Sequence, residues 1–84
     1  MRIRDDDELD VILWDPKELD VAIIGIGRRC GFDDVTVYDR EKLLQALMDV
    51  NGFDREGADE WLSFNIEGAY VGVKTPIIME AIEQ

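Results

Sequence analysis

This chain of 84 residues contains one cysteine and no histidine, so it lacks two features that commonly stabilise small domains. A single cysteine cannot form a disulfide within the chain, and neither a histidine-based nor a cysteine-rich zinc site can be assembled. A chain of this length buries only about 60% of its unfolded surface, so its stability is marginal. We therefore expect one domain over residues 1–84, with partner binding or homodimerisation as an added source of stability.

The missing residue types also exclude most catalytic machinery. No Ser-His or Cys-His nucleophile pair forms without histidine, and no CxxC redox pair forms without a second cysteine. The run Gly25–Gly31 departs from the dinucleotide-binding fingerprint, because Cys30 stands at the third glycine position and a strand follows where a helix is needed. The sequence therefore predicts no enzyme activity, no cofactor and no bound metal.

The chain carries 20 acidic and 9 basic residues, which give it a net charge of -11. Such a surface repels nucleic-acid phosphates and anionic membranes, and it attracts basic protein surfaces. The same charge keeps a small protein soluble, so binding and solubility are both explanations of it. The N-terminus lacks the pattern of a signal peptide, and no apolar run reaches the roughly 20 residues that span a bilayer, so we expect a cytoplasmic protein.

Apolar patterns predict a small α+β domain with the element order β-β-α-α-β. The β-branched run Val21–Ile26 does not alternate, which is typical of a strand that is covered on both faces or lies centrally, whereas Val35–Tyr38 alternates and predicts one more exposed face. Turn residues at Gly27–Asp34 join these strands into a β-hairpin from about Val21 to Tyr38. The four consecutive acids Asp5–Glu8 predict a frayed acidic arm over residues 1–10.

Two helices are predicted after the hairpin, near Arg40–Val50 and Arg55–Ile66. Asp39 and Asp54 have the residue type and the position of N-caps. Apolar residues recur at helical spacing, so we expect both helices to pack on one face of a small antiparallel sheet. The residues of this expected contact are Leu43, Leu44, Leu47, Trp61, Leu62 and Ile66. A C-terminal strand near Ile77–Ala81 follows a proline, which suits an edge strand because proline cannot donate a ladder hydrogen bond.

Six segments follow one another along the chain: Ala22–Ile26, Val37–Asp39, Lys42–Leu43 at the start of an acidic helix, Glu60–Asn65, Gly68–Gly72 and Thr75–Ile77. Their series resembles that of small acidic proteins encoded by phages and prophages, which carry no assigned function. The resemblance covers roughly residues 18–80 and leaves the acidic N-terminus outside it. It implies a viral or mobile-element origin, and hence the cytoplasm of a host cell, but it implies no catalytic residues.

We hypothesise that the protein binds a partner stoichiometrically and inhibits a host or anti-phage defence protein. Its carboxylates would stand in for nucleic-acid phosphates in a basic groove, and helical carboxylates at i and i+4, such as Glu56 and Glu60, lie roughly 6 Å apart. The alternative is an accessory or architectural phage protein that associates with itself and has no inhibitory role. A hydrolase or transferase that uses carboxylates alone needs paired acids in a cleft, which so short a chain rarely encloses.

The candidate interface residues combine acids, aromatic anchors and two adjacent arginines. Phe64 lies off the apolar stripe of the second helix, and Trp14 either covers the sheet or is an exposed anchor. Arg28 and Arg29 either clamp a carboxylate or phosphate of a partner or pair with local acids. The full set is Asp5, Asp6, Asp7, Glu8, Asp10, Trp14, Arg28, Arg29, Asp49, Asp54, Glu56, Asp59, Glu60 and Phe64. The expected partner is a basic or nucleic-acid-binding host protein, with neither nucleic acid nor a membrane contacted directly.

Overall fold

A computed structural model describes residues 2–6, 9–14 and 17–82 of the protein. The strands are β1 (Arg2–Asp6), β2 (Leu9–Leu13), β3 (Ile23–Gly27), β4 (Val35–Asp39) and β5 (Ile77–Met79). The helices are a 3₁₀ helix (Lys17–Ala22), α1 (Arg40–Asn51), α2 (Arg55–Leu62) and a π-helix (Ser63–Glu67) that continues α2. A hairpin, two helices and a C-terminal strand follow one another as predicted, so the α+β class is confirmed.

Strand β4 is the centre of the three-stranded sheet, with β3 on one side and β5 on the other. β3 runs antiparallel to β4, with a bulge between Ile23 and Gly25, whereas β5 runs parallel to β4. The prediction of an antiparallel sheet is therefore wrong for the pair of β4 and β5. The reason is the connection, because α1 and α2 carry the chain back across the sheet before β5 begins, as a parallel pair requires.

The burial of β3 differs from what its sequence predicts, whereas that of β4 agrees with the prediction. β3 is an edge strand, and its Ile24 is exposed. The apolar run is longer in the sequence than the strand because it includes Val21 and Ala22, which belong to the 3₁₀ helix. β4 is the central strand, and one of its faces is more exposed, as its alternation predicts: Thr36 and Tyr38 are fully buried, whereas Val37 on the other face is partly exposed. Burial of Thr36 is tolerated because its hydroxyl donates to the carbonyl oxygen of Ile12 at 2.9 Å.

Both helices begin at the predicted capping residues. The Asp39 carboxylate accepts a hydrogen bond from the backbone N–H of Glu41 at 3.0 Å. The Asp54 carboxylate accepts one from the backbone N–H of Gly57 at 2.7 Å. Gly52 ends α1 with a φ of 71°, a left-handed conformation that glycine adopts without steric cost. Local capping chemistry therefore sets three of the four ends of α1 and α2.

The hydrophobic core lies between the helices and one face of the sheet. Tyr38 projects into it from β4, and Ile23 and Ile78 pack against it from the neighbouring strands. The predicted helix contacts are confirmed by complete or nearly complete burial of Leu43, Leu44, Leu47, Leu62 and Ile66, while Trp61 is only partly buried. Both helices therefore pack on the same face of the sheet.

A hairpin of β1 and β2 stands where we expected a frayed acidic arm over residues 1–10. The two strands pair antiparallel over their full length, from Arg2 opposite Leu13 to Asp6 opposite Leu9. β2 then packs against β4, and its residues 11–13 are buried. The sequence did not predict this hairpin, because a run of like charges favours an unpaired arm and the apolar residues that favour a strand begin only after it.

The other face of the sheet is not covered by α1 or α2. Val35, Val37 and Ile77 lie on this face together with Gly27. A Cβ atom added to Gly27 would lie 3.0 Å from Cγ2 of Val37 and 3.6 Å from Cδ1 of Ile77. Glycine at this position therefore lets side chains of β4 and β5 close over β3.

Replacing Leu47 by alanine should lower the free energy of unfolding by roughly 2–5 kcal/mol, because a fully buried side chain leaves a cavity. Gln45 on the same helix is exposed, so Gln45→Ala should change that free energy by less than about 0.5 kcal/mol. Urea denaturation followed by circular dichroism measures both variants. Equal effects of the two substitutions would contradict the placement of Leu47 in the core.

Candidate protein-binding site

Three of the predicted interface residues lie four positions apart on α2 and its π-helical continuation. Glu56, Glu60 and Phe64 are all exposed, and a groove of about 320 Å³ is lined by both Glu60 and Phe64. Phe53 and Trp61 form part of the wall of the same groove. We call these five residues the α2 surface.

The aromatic residues of the α2 surface lie at different depths. Phe53 and Trp61 are partly buried and pack against the hydrophobic core, whereas Phe64 is 79% exposed. The side-chain amide of Asn65 donates to the carbonyl oxygen of Trp61 at 3.0 Å, which adds a link across this turn. An exposed ring beside aromatic side chains that are held by the core is an arrangement that anchors protein interfaces.

The π-helix accommodates Phe64 on the outside of the molecule. Its wide turn is closed by a hydrogen bond of 3.1 Å from the N–H of Gly68 to the carbonyl oxygen of Ser63. Ile66 is buried although the turn is wider than an α-helical turn. The one additional residue that a π-helical turn contains therefore lies on the exposed side of the helix, with Phe64. Wide turns of this kind are frequent at functional sites. The predicted helix over Arg55–Ile66 did not include this widening, for which the sequence contains no clear signal.

Two arginines neutralise part of the acidic charge of the helices. Arg40 donates to Asp59 and, at 3.1 Å, to Glu67, so it joins the start of α1 to α2 and to the end of the π-helix. Arg55 donates to the two carboxylate oxygens of Glu41 at 2.7 and 2.8 Å. Asp59, although a predicted interface residue, is therefore engaged in an ion pair within the chain.

Glu56 and Glu60 form no ion pair with any residue that the structure describes. The other predicted acids of the helices have structural roles. Asp54 caps α2, and Asp49 accepts a hydrogen bond from the side-chain amide of Gln45 at 3.3 Å. Glu56 and Glu60 are therefore the carboxylates of α2 that a basic partner can reach without breaking a bond seen here.

The arginine pairs shift the pKa values of their members toward the charged forms. Hydrogen bonds to Glu67 and then to Asp59 raise the pKa of the Arg40 guanidinium above its ordinary value. Hydrogen bonds from Arg55 lower the pKa of the Glu41 carboxyl below its ordinary value of 4.5. Both shifts arise because a hydrogen bond to the ionised form stabilises that form, so the pairs remain ionised at neutral pH.

The acids predicted at the N-terminus do not belong to the α2 surface. Asp5 and Asp6 lie in β1, and Asp10 lies in β2, where it is opposite Asp5. Asp7 and Glu8 fall outside the residues that the structure describes. Asp5, Asp6 and Asp10 therefore lie in the paired strands β1 and β2, and the contribution of the N-terminal acids to a partner surface remains a prediction.

Trp14 is buried, so the prediction that it is an exposed interface anchor is wrong. Its backbone N–H donates to the hydroxyl of Tyr38 at 2.8 Å, and the residue belongs to the hydrophobic core. Packing of β2 against β4 draws Trp14 inward, and of its two predicted placements the cover over the sheet is the one found. Arg28 and Arg29 are exposed in the loop between β3 and β4, outside the α2 surface.

Phe53 and Trp61 are the residues of the α2 surface that sequence reasoning did not select. Phe53 immediately precedes the N-cap Asp54, a position from which an apolar residue often packs onto the first helical turn, and this pattern is a usable signal. Trp61 lies at the border between the apolar stripe and the exposed side. Periodicity alone assigns such a border residue to the core, whereas the structure leaves part of it in the groove wall.

Comparison with protein-family models, with curated proteins and with solved structures finds no match to this chain. Within residues 2–6, 9–14 and 17–82, no three acidic or cysteine side chains are grouped so as to hold a metal ion. In that same part of the chain, no helix has both the length and the apolar character to cross a bilayer. Geometry and charge of the described residues are therefore the basis for a functional proposal.

The pair of Glu41 and Arg55 should be visible in the acid titration of the protein. Because the folded state lowers the Glu41 pKa, the stabilisation is complete above pH 4.5 and is lost as the pH falls through the folded-state value. An NMR titration of the carboxyl carbon should place the Glu41 midpoint below 4.5. Arg55→Gln should raise this midpoint, and the control Arg28→Gln should leave it unchanged. A Glu41 midpoint that ignores Arg55→Gln would contradict the pair.

Proposed function

We propose that this protein binds stoichiometrically to a basic nucleic-acid-binding protein of a host cell or of an anti-phage defence system, and inhibits it. In this proposal the α2 surface occupies the basic groove in which the partner holds nucleic acid. The observation that carries it is the exposure of Glu56 and Glu60, which have no ion pair among the described residues, together with the exposed ring of Phe64, which lines a groove with Glu60.

Glu56 and Glu60 stand in for two successive phosphates of a nucleic-acid strand. The Cβ atoms of residues i and i+4 on a helix lie roughly 6 Å apart, so their carboxylates can adopt a spacing similar to that of neighbouring phosphates along one strand. Lysine and arginine side chains that bind phosphates bind carboxylates through the same charge-assisted hydrogen bonds. The net charge of -11 adds a long-range attraction that speeds the encounter with a basic partner.

Phe64 takes the place of a nucleobase in this mimicry. Proteins that bind single strands combine a basic groove with aromatic side chains on which the bases stack. An exposed ring that lines a groove together with Glu60, four residues after Glu56, presents the same combination of a flat apolar face and negative charge. We therefore infer that the target class is a protein that binds single-stranded nucleic acid.

The resemblance of residues 18–80 to small phage and prophage proteins supports a viral origin for an inhibitor of this kind. Such an inhibitor acts in the host-cell cytoplasm, where the nucleic-acid-binding proteins of host replication and defence operate. Binding alone blocks the partner's groove, so the proposal needs no cofactor and no catalytic residue. The net negative charge opposes direct contact with nucleic acid or with an anionic membrane.

Reversing the two reachable carboxylates should abolish the mimicry and leave the fold intact. The variant Glu56→Lys with Glu60→Lys removes the phosphate-like charges. The control Glu18→Lys with Glu80→Lys changes the net charge equally at exposed positions outside the α2 surface. Exposed charges contribute only about 0–1 kcal/mol per pair to stability, so both variants should fold. Phe64→Ala removes the ring without changing the charge.

Displacement of a fluorescent single-stranded oligonucleotide from purified OB-fold single-stranded-DNA-binding proteins provides the assay. The wild-type protein should displace the oligonucleotide from at least one of them, and less effectively as salt rises. The double variant of the α2 surface and Phe64→Ala should each need at least about tenfold more protein, whereas the control should resemble the wild type. No displacement by the wild type, or an equal loss in the control, would contradict the proposal.

A further inference from the structure

A cleft of about 360 Å³ opens where the loop between β3 and β4 meets β5 and the segment before it. Its apolar lining consists of Phe32 from the loop, Val35 from β4, Val73 from the segment before β5, and Ile77 from β5. The exposed fractions of Phe32, Val73 and Ile77 are 60%, 71% and 49%. The described lining of this cleft shares no residue with that of the α2 groove.

The cleft continues the sheet face that neither α1 nor α2 covers. Val35 and Ile77 belong both to that face and to the cleft, and Gly27 contributes a floor without a side chain. Phe32 and Val73 extend the apolar surface beyond the strands. Exposed apolar side chains that are contiguous, and not scattered singly, mark an interaction site on a small protein.

The charged residues around the cleft balance one another. Arg28, Arg29 and Asp33 line it, and Asp34 binds Arg28 at 3.4 Å. The Arg29 guanidinium lies 4.7 Å from the centre of the Phe32 ring. Together these two arginines and two aspartates contribute no net charge, on a chain whose net charge is -11. Two copies therefore repel each other less at this patch than they would through acidic surfaces.

We propose that two copies of this chain associate through the cleft as a two-fold symmetric dimer. In this dimer Arg28 and Arg29 of one copy face Asp33 and Asp34 of the other, and the two-fold axis repeats that contact. The exposed pair of Arg28 and Asp34 within each copy is exchanged for pairs between the copies. The exposed apolar side chains of Phe32, Val73 and Ile77 meet around the axis and are removed from water. An apolar centre with complementary charges around it is the composition that such an interface requires.

This dimer is independent of the proposed inhibition, because it uses a different surface. It also supplies the added stability that a chain of 84 residues without a disulfide gains from association. A protein that does not dimerise could still bind a partner through the α2 surface, and a protein that does not bind such a partner could still dimerise through the cleft. The two proposals are therefore tested by separate variants.

A pair of valine substitutions tests the apolar centre of the interface. Val73 and Val21 are both 71% exposed, but only Val73 lines the cleft. In sedimentation equilibrium the wild type should form a concentration-dependent dimer. Val73→Asp should raise the dissociation constant at least about tenfold, because it buries an unpaired charge, while Val21→Asp should leave it unchanged. A wild type that is monomeric up to about 1 mM, or equal weakening by both substitutions, overturns the proposal.

Two charge variants test the pairing across the symmetry axis. Arg28→Glu with Arg29→Glu makes the rim of the cleft acidic, and Asp33→Arg with Asp34→Arg makes it basic. Each variant alone should be monomeric, because like charges face each other, while a mixture of the two should form a dimer with one copy of each. Circular dichroism confirms that both variants are folded. Dimers of either variant alone, or a mixture that stays monomeric, would overturn the two-fold pairing.

Discussion

Strand β4 connects the other parts of the fold through the side chains of Thr36 and Tyr38. The Tyr38 hydroxyl accepts a hydrogen bond from the backbone N–H of Trp14 at 2.8 Å, and the Thr36 hydroxyl donates to the carbonyl oxygen of Ile12 at 2.9 Å. Both bonds join the N-terminal segment to the central strand, while the Tyr38 ring lies in the core beneath the helices. Because a buried polar group is costly without a partner, these bonds determine where β2 lies on β4.

Features that depend on neighbouring residues could be predicted from the sequence, and features that depend on distant ones could not. The capping of α1 by Asp39 is local, since the carboxylate binds an N–H two residues ahead. The burial of Thr36 depends on Ile12, which lies 24 residues away in the sequence. The same holds for the candidate site. Helical spacing predicts its exposed carboxylates, but only the fold brings Arg40 to Asp59, 19 residues away, and so removes Asp59 from the reachable acids.

The fold separates two surfaces of different chemical character. On the helical side, Glu56 and Glu60 carry charge that no described cation compensates, beside an exposed aromatic ring. On the sheet face opposite the helices, Arg28 and Arg29 are accompanied by Asp33 and Asp34, and the centre is apolar. A dimer formed through the sheet face would present two α2 surfaces to a partner. Two linked surfaces bind a partner with repeated sites far more tightly than one, provided that both reach their sites together.

Hydrogen–deuterium exchange tests most directly whether the α2 surface contacts a basic nucleic-acid-binding protein, because it changes no charge in either molecule. The measurement compares the free protein with its complex with an OB-fold single-stranded-DNA-binding protein. We expect added protection in the segment Asp54–Glu67, lost when a competing oligonucleotide is added, and no change in the loop of residues 28–34. Protection confined to the N-terminal acidic segment, with Asp54–Glu67 exchanging as in the free protein, would contradict the proposed mimicry.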